Sequence, residues 1–173
     1  MLGTLAHLLA TLPQAGRVEW IGLRPARRAA PDAVATVEAR PGGLAGDRHF
    51  SVQGARQVTL IQAEHIAAVA AMLGRGSIDP GLLRRNLVIS GINLLALKGR
   101  RFQVGEALLE WSGLCQPCSR MEEALGPGGY NAMRGHGGIT ARVLEAGIVA
   151  VGSDLRALPL AASQCGAEHE DEE

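Results

Sequence analysis

Leu2, Leu5, Leu8, Leu9 and Leu12 fall on one helical face, and Pro13 ends the run. Residues 4–12 are therefore expected to form a short amphipathic helix or a partner-binding arm. The period then changes. Val18, Trp20 and Gly22 alternate with outward positions. Val34 to Ala39 follows after a Pro/Arg/Ala turn, and Gln57 to Ile61 carries the β-branched Val58, Thr59 and Ile61; all three read as strands. Ile66, Val69, Ala70 and Leu73 recur at helical spacing until Gly74 and Gly76 close the segment. Leu87 to Ser90 reads as a short strand. Ala107, Leu109 and Trp111 alternate with Glu106, Leu108 and Glu110 as a half-buried strand. Ala141 to Val151 reads as two strands joined near Ala146-Gly147. Short strands at close intervals, without a βαβ rhythm, predict an α+β fold: β-rich and barrel-like, with a few short helices.

This pattern divides the chain into a helical arm at 1–14, one domain at 15–158 and an acidic, disordered tail at 159–173. A length of 173 residues suits a single domain with its own core. Charge changes the picture only once it is divided. Seventeen basic and 17 acidic residues cancel, but Glu-His-Glu-Asp-Glu-Glu at 168–173 holds five of the acids, leaving residues 1–167 at a formal +5. All the basic residues but Lys98 are arginine, whose planar fork suits carboxylate, phosphate and sulfate. An arginine bias also accompanies GC-rich coding. Aromatics at 3% argue against a stacking platform for nucleic acid, so no nucleic-acid partner is expected. No run of about 18 apolar residues exists to span a membrane. Met1 to Leu12 has no basic n-region, and the cysteine count is odd (Cys115, Cys118 and Cys165). A signal peptide and a disulfide scaffold are therefore not expected, and cytoplasmic residence with reduced thiols is.

Chemistry is densest at Gly113-Leu114-Cys115-Gln116-Pro117-Cys118-Ser119-Arg120-Met121-Glu122. Ser119 followed by Glu122 is a capping-box signature, which starts a helix at Ser119 and places Cys118 just before its first turn. The positive helix end and Arg120 favour a thiolate there, the form needed by a soft metal or by sulfur transfer. Other readings stay open at this point. The pair can be a redox dithiol, half of a zinc site, or two buried and inert cysteines. His136 and Cys165 do not stand at zinc-finger spacing.

Three further clusters carry candidates. In Gly43 to Phe50, followed by Arg56-Gln57, the side chains of Arg48, His49 and Arg56 can converge on an anion; the same loop can be solvated, with one Asp–Arg pair. Arg84-Arg85-Asn86 precedes a strand. Gly126 to Asn131 and Arg134 to Gly138 are glycine-rich and can present amide donors to an oxyanion, although they match neither a Walker loop nor a dinucleotide fingerprint.

Taken in order, Gly43-Leu44-Ala45-Gly46-Asp47-Arg48-His49, Arg56 to Leu60, Arg85-Asn86-Leu87-Val88-Ile89-Ser90-Gly91, Gly113 to Cys118, Gly137-Gly138, Arg142-Val143-Leu144, Gly147 and Val151 to Asp154 form a recognisable series. The series resembles the MOSC family, named for the C-terminal domain of molybdenum cofactor sulfurase, over residues 15 to 157. The resemblance implies a β-rich, barrel-like fold and a molybdopterin-type cofactor, held stably or only transiently. It implies that Cys118, after Pro117, is the molybdenum ligand or the sulfur carrier. Arg48, Arg56, Arg85 and Arg134 become candidates to hold the pterin phosphate. Asn86 becomes a candidate to bond the pterin or orient a loop, and Gly137 and Gly138 to admit a close backbone approach. His49 and Arg120 join this set by position, and Cys115 can resolve a persulfide or sulfenic acid on Cys118. Many relatives carry an acidic residue where Arg85 stands. Implied activities are oxygen-atom transfer, such as reduction of N-hydroxylated compounds, or sulfur transfer. The chain is expected to be a bare, stand-alone domain, so a cysteine desulfurase or an electron-donor protein is an expected partner. Lys98 sits in a Leu-Lys-Gly turn and is not read as a pyridoxal phosphate lysine. The leucine face at 2–9 is expected to dock on its own domain, across a homodimer, or on a molybdoenzyme partner.

Overall fold

The computed structural model describes residues 4–160. Leu2, Cys165 and the acidic segment from residue 161 onward lie outside the described residues. The elements, in order, are α1 (Leu5–Ala10), β1 (Gly16–Leu23), β2 (Asp32–Ala33), β3 (Thr36–Arg40), β4 (Gly43–Leu44), β5 (Val58–Gln62), α2 (Ala63–Met72), α3 (Pro80–Leu83), β6 (Leu87–Ser90), a 3-10 turn (Leu94–Leu97), β7 (Arg101–Val104), β8 (Ala107–Leu114), α4 (Ser119–Leu125), α5 (Gly129–Met133), β9 (Ile139–Glu145), β10 (Gly147–Ala150) and β11 (Asp154–Ala157).

Seven strands run in the order β11-β7-β8-β9-β5-β6-β1, and β1 pairs back to β11 through Gly16 and Leu155. The ring closes as a mixed barrel, which leaves few free edges. This is the expected β-rich α+β barrel. A small sheet, β10-β3-β4, packs beside it. The side-chain period of two decides what goes where. Val58, Leu60, Leu87 and Ile89 point into the barrel with Phe102, Val104 and Leu109. Ile61 and Val88, one residue out of phase, point outward and pack under the helices with Val69, Leu83, Met121 and Met133. That double burial explains the unbroken apolar run Leu87-Val88-Ile89.

Four features of the fold lie beyond the sequence reading. One βαβ unit exists: β5 and β6 are parallel, with Leu60 opposite Leu87, and α2 lies in the crossover. The strands around Ala146 are not partners; β9 joins the barrel, whereas β10 pairs with β3. Pro41-Gly42 turns β3 back into β4, because Gly42 and Gly43 take φ of +115° and +137°. Strands β7 and β11 alternate exposed Arg101, Gln103, Asp154 and Arg156 with buried Phe102, Val104 and Leu155, but at 4 residues each they are too short to stand out in the sequence. The leucine face of α1 is solvent-exposed at Leu5, Leu8 and Leu9. The arm is tied down instead by Arg100, which donates to the carbonyls of Leu9 and Ala10.

Candidate functional site

The alternation of β8 breaks before its end. Its register with β9 shifts between Trp111 and Gly113, a bulge that re-aims the strand as it leaves the barrel. Cys115 follows, 4% exposed, with its amide donating to the Gly138 carbonyl at 2.9 Å. Residues 115–118 join β8 to α4 without regular structure, and they lead from the buried Cys115 to the exposed Cys118. Both thiols are free. Cys118, not Ser119, is the N-cap of α4, and it makes no side-chain cap bond. The capping-box expectation fails because Glu122 is engaged elsewhere. Its carboxylate accepts from the amides of Gly128 and Tyr130, both at 2.8 Å, and so organises the start of α5. Those bonds hold the Glu122 carboxyl below its ordinary value.

Two arginines converge on Cys115. Arg56 Nη2 donates to Cys115 Sγ at 3.7 Å. Arg85 is 7% exposed; its Nε donates to the Gly137 carbonyl and its Nη1 to the Leu83 carbonyl, each at 2.8 Å. Its Nη2 is buried and has no partner. Burial pushes the Arg85 guanidinium below its ordinary value; the sulfurs of Cys115 and Cys118 oppose that shift, while Arg56 and Arg24 reinforce it. The two glycines of this wall are both required by space. A Cβ on Gly137 would lie 2.1 Å from the Cys115 carbonyl oxygen. At Gly138, where φ is +88°, it would lie 2.0 Å from that of Leu60.

Asn86 is 0% exposed and belongs to a different assembly. Arg24 forks onto Asp47 through Nε at 3.0 Å and Nη2 at 2.9 Å. Asn86 Nδ2 donates to Asp47 at 2.9 Å and to the Gly22 carbonyl at 3.1 Å. Its Oδ1 accepts from Arg24, from the Thr59 amide and from the Thr59 hydroxyl. The amide of Asn86 therefore has no capacity left for a ligand, which leaves the loop-orienting role of the two expected for it. Burial alone would raise the Asp47 pKa, but hydrogen bonds from Arg24 and the His49 amide outweigh it and hold the carboxyl below its ordinary value. Arg24 escaped the sequence reading. Nothing local marks it, since its partners stand 23 and 62 residues away.

Of the sequence candidates, Cys115, Cys118, Arg56, Arg85, Gly137 and Gly138 share one wall. Arg120 is exposed two residues beyond Cys118, while Arg48 and His49 are exposed on the loop held by Arg24 and Asp47. Burial and then Arg24 hold the His49 imidazole below its ordinary value, with Asp47 opposing. Arg134 is exposed at the end of α5, and among the described residues no contact joins it to either cysteine. His136, next to Gly137, meets His65 of α2 edge to face with ring centroids 4.9 Å apart.

Comparison with known proteins places this geometry in context. The family model for the MOSC domain matches residues 45–156. No curated protein matches the chain. Among solved structures, the YuaD protein from Bacillus subtilis shares 20% identity at a TM-score of 0.76, over 87% of this chain and 100% of that one. YiiM from Escherichia coli shares 20% identity at 0.68, over 86% and 72%. YiiM from Geobacillus stearothermophilus shares 18% at 0.66, over 83% and 75%. At these identities the likeness is one of fold.

Proposed function

Because the chain belongs to the MOSC family, we propose that its Cys115–Cys118 wall holds a molybdopterin-type cofactor, with Cys118 as the metal ligand or the sulfur carrier. The observation that carries this reading is the buried, unpartnered Nη2 of Arg85. A buried guanidinium donor without an acceptor is unfavourable, and an anionic group brought by a ligand relieves it. Three further features fit. Gly137 lets the Cys115 backbone and Arg85 Nη2 come together at this wall, where a Cβ would lie 2.1 Å from the Cys115 carbonyl oxygen. Arg56 adds a second cation at the same wall. Among the described residues, no group of three or more His, Cys, Asp or Glu is placed to hold an ion. A metal bound here would therefore bring most of its own ligands, and one soft thiolate would complete the set.

When bound, such a cofactor supplies two-electron oxygen-atom transfer, such as reduction of N-hydroxylated compounds. The chain's own residues bind and orient. Arg85 and Arg56 neutralise the anionic part, Cys118 supplies the sulfur donor from a solvent-facing position, and the network beneath Asn86 fixes the loop bearing Arg48 and His49. Cytoplasmic residence and an external donor of electrons or sulfur belong to the same reading.

The exposure of Cys118 also favours a second reading, a metal-free sulfur carrier. The Cys118 thiolate attacks the outer sulfur of a donor persulfide, and the donor leaves as its own thiolate. This second reading is recognised by a mass gain of one sulfur atom on the Cys118 peptide without bound pterin. The deciding experiment is a molybdenum and pterin inventory of wild type and Cys118→Ser, purified from a host that makes the cofactor. Wild type is expected to hold both, and the variant to lose them by about tenfold or more. Equal content in the two proteins contradicts the assignment.

A further inference from the structure

A second cleft, of about 510 Å³, opens between β1, the loop after it, α3 and α4. Its apolar side includes Trp20, Pro31 and Leu82, and its charged side Arg28, Arg84 and Arg120. Two acids also line it; the Asp79 carboxylate is occupied by the Gly81 amide at 2.8 Å, and Glu123 lies on α4. The indole of Trp20 lies against the backbone of Gly22, where a Cβ would come within 2.0 Å of the ring. Gly22 thus leaves room for the half-buried indole, which also packs against the core under the helices.

The cation side is crowded. Burial pushes the Arg84 guanidinium below its ordinary value, and Arg24, Arg120 and Arg48 push the same way. The one opposing group, Asp47, is already forked by Arg24. Arg84 Nη1 donates to the Ala29 carbonyl, which ties the loop wall to α3. Among the described residues, only Arg28 and Arg84 hold left-handed backbone without being glycine, with φ of +64° and +56°. Both line this cleft, and such conformations persist where the surroundings enforce them.

We propose that this cleft binds an amphipathic anion: a flat apolar body against Trp20, Pro31 and Leu82, with a single carboxylate or phosphate between Arg84 and Arg120. An arginine fork matches either head group, and an apolar wall with few placed cations is the usual make-up of a small-molecule site. The proposal does not rest on the cofactor reading. Its place does bear on it, because Arg120 lies two residues beyond Cys118 on the same helix start.

The test uses the full chain and the indole N–H resonance of Trp20, assigned with Trp111→Phe, since the chain has two tryptophans. The probes are 1-naphthoate, 1-naphthyl phosphate and the neutral 1-naphthalenemethanol. Both anions are expected to shift the Trp20 resonance saturably, the alcohol to bind about tenfold more weakly or worse, and Arg120→Ala to weaken both anions by a similar factor. The tighter anion identifies the head group. Wild-type protein that lacks molybdenum and pterin but still binds naphthoate overturns the cofactor reading alone. Equal binding of alcohol and acid, full affinity in a folded Arg120→Ala, or an unmoved Trp20 resonance overturns this proposal.

Discussion

Arg85 and Asn86 are neighbours in sequence, both are buried, and they end in opposite situations. Asn86 sits in a network in which Arg24, Asp47 and Thr59 answer every donor and acceptor of its amide. Arg85 meets two carbonyls and leaves Nη2 unanswered beside Cys115. A saturated buried network holds a structure; a buried cation with an open donor is set for something that arrives later. The lesson is that burial and polarity do not by themselves mark a binding residue. The unfilled valence does.

The sharpest way to break this contrast is to unpair the saturated side. Asp47→Ala leaves Arg24 buried without its carboxylate, and removing one partner of such a pair costs about 3–5 kcal/mol. Urea unfolding should show that loss directly; a shift below about 1 kcal/mol would mean that the network is not what holds this loop. A smaller loss is expected from Gly137→Ala, since the new Cβ must displace the Cys115 carbonyl. Overpacking of this kind costs about 1–3 kcal/mol. Cofactor content should fall further than stability does, because the displaced atoms belong to the open side; unchanged content would separate the two.

The smallest effect is a pH dependence at the rim. Burial, followed by His136, lowers the His65 pKa below 6.5, with Glu64 opposing. The folded protein therefore resists a proton that the unfolded chain accepts near 6.5. Stability present above that pH is lost as pH falls from 6.5 towards the lower folded value. His65→Gln should flatten the urea midpoint between pH 7.5 and 5.5 relative to wild type; an unchanged slope would show that His65 is not its source.

The same contrast explains what was legible in the sequence. The barrel followed from alternation in β1 and β8, from the β-branched residues of β5 and from the short apolar run of β6, and the cysteine pair from its own signature. What stayed hidden depends on partners far along the chain. Arg24 sits among Pro25, Arg27 and Arg28 and looks like part of a solvated loop. Asn86, next to an apolar strand, reads equally well as ligand or scaffold until Thr59 and Gly22 are brought to it. Ser119 and Glu122 carry the right spacing for a cap, yet Glu122 finds better donors in a turn that the sequence places outside the helix. Strands β7 and β11 close the barrel only because each meets a partner across it.

The most direct test of the central claim is the molybdenum and pterin content of Arg85→Met, measured beside its thermal midpoint. Methionine keeps an unbranched apolar stem, shorter than that of arginine, and removes the unpartnered buried cation, while two carbonyls lose a donor. These effects oppose each other, and stability should stay within about 1.5 kcal/mol of wild type. The account predicts a folded protein that has lost its cofactor by about tenfold or more, since a buried donor to an anion is gone. A folded Arg85→Met with full molybdenum and pterin content would contradict it.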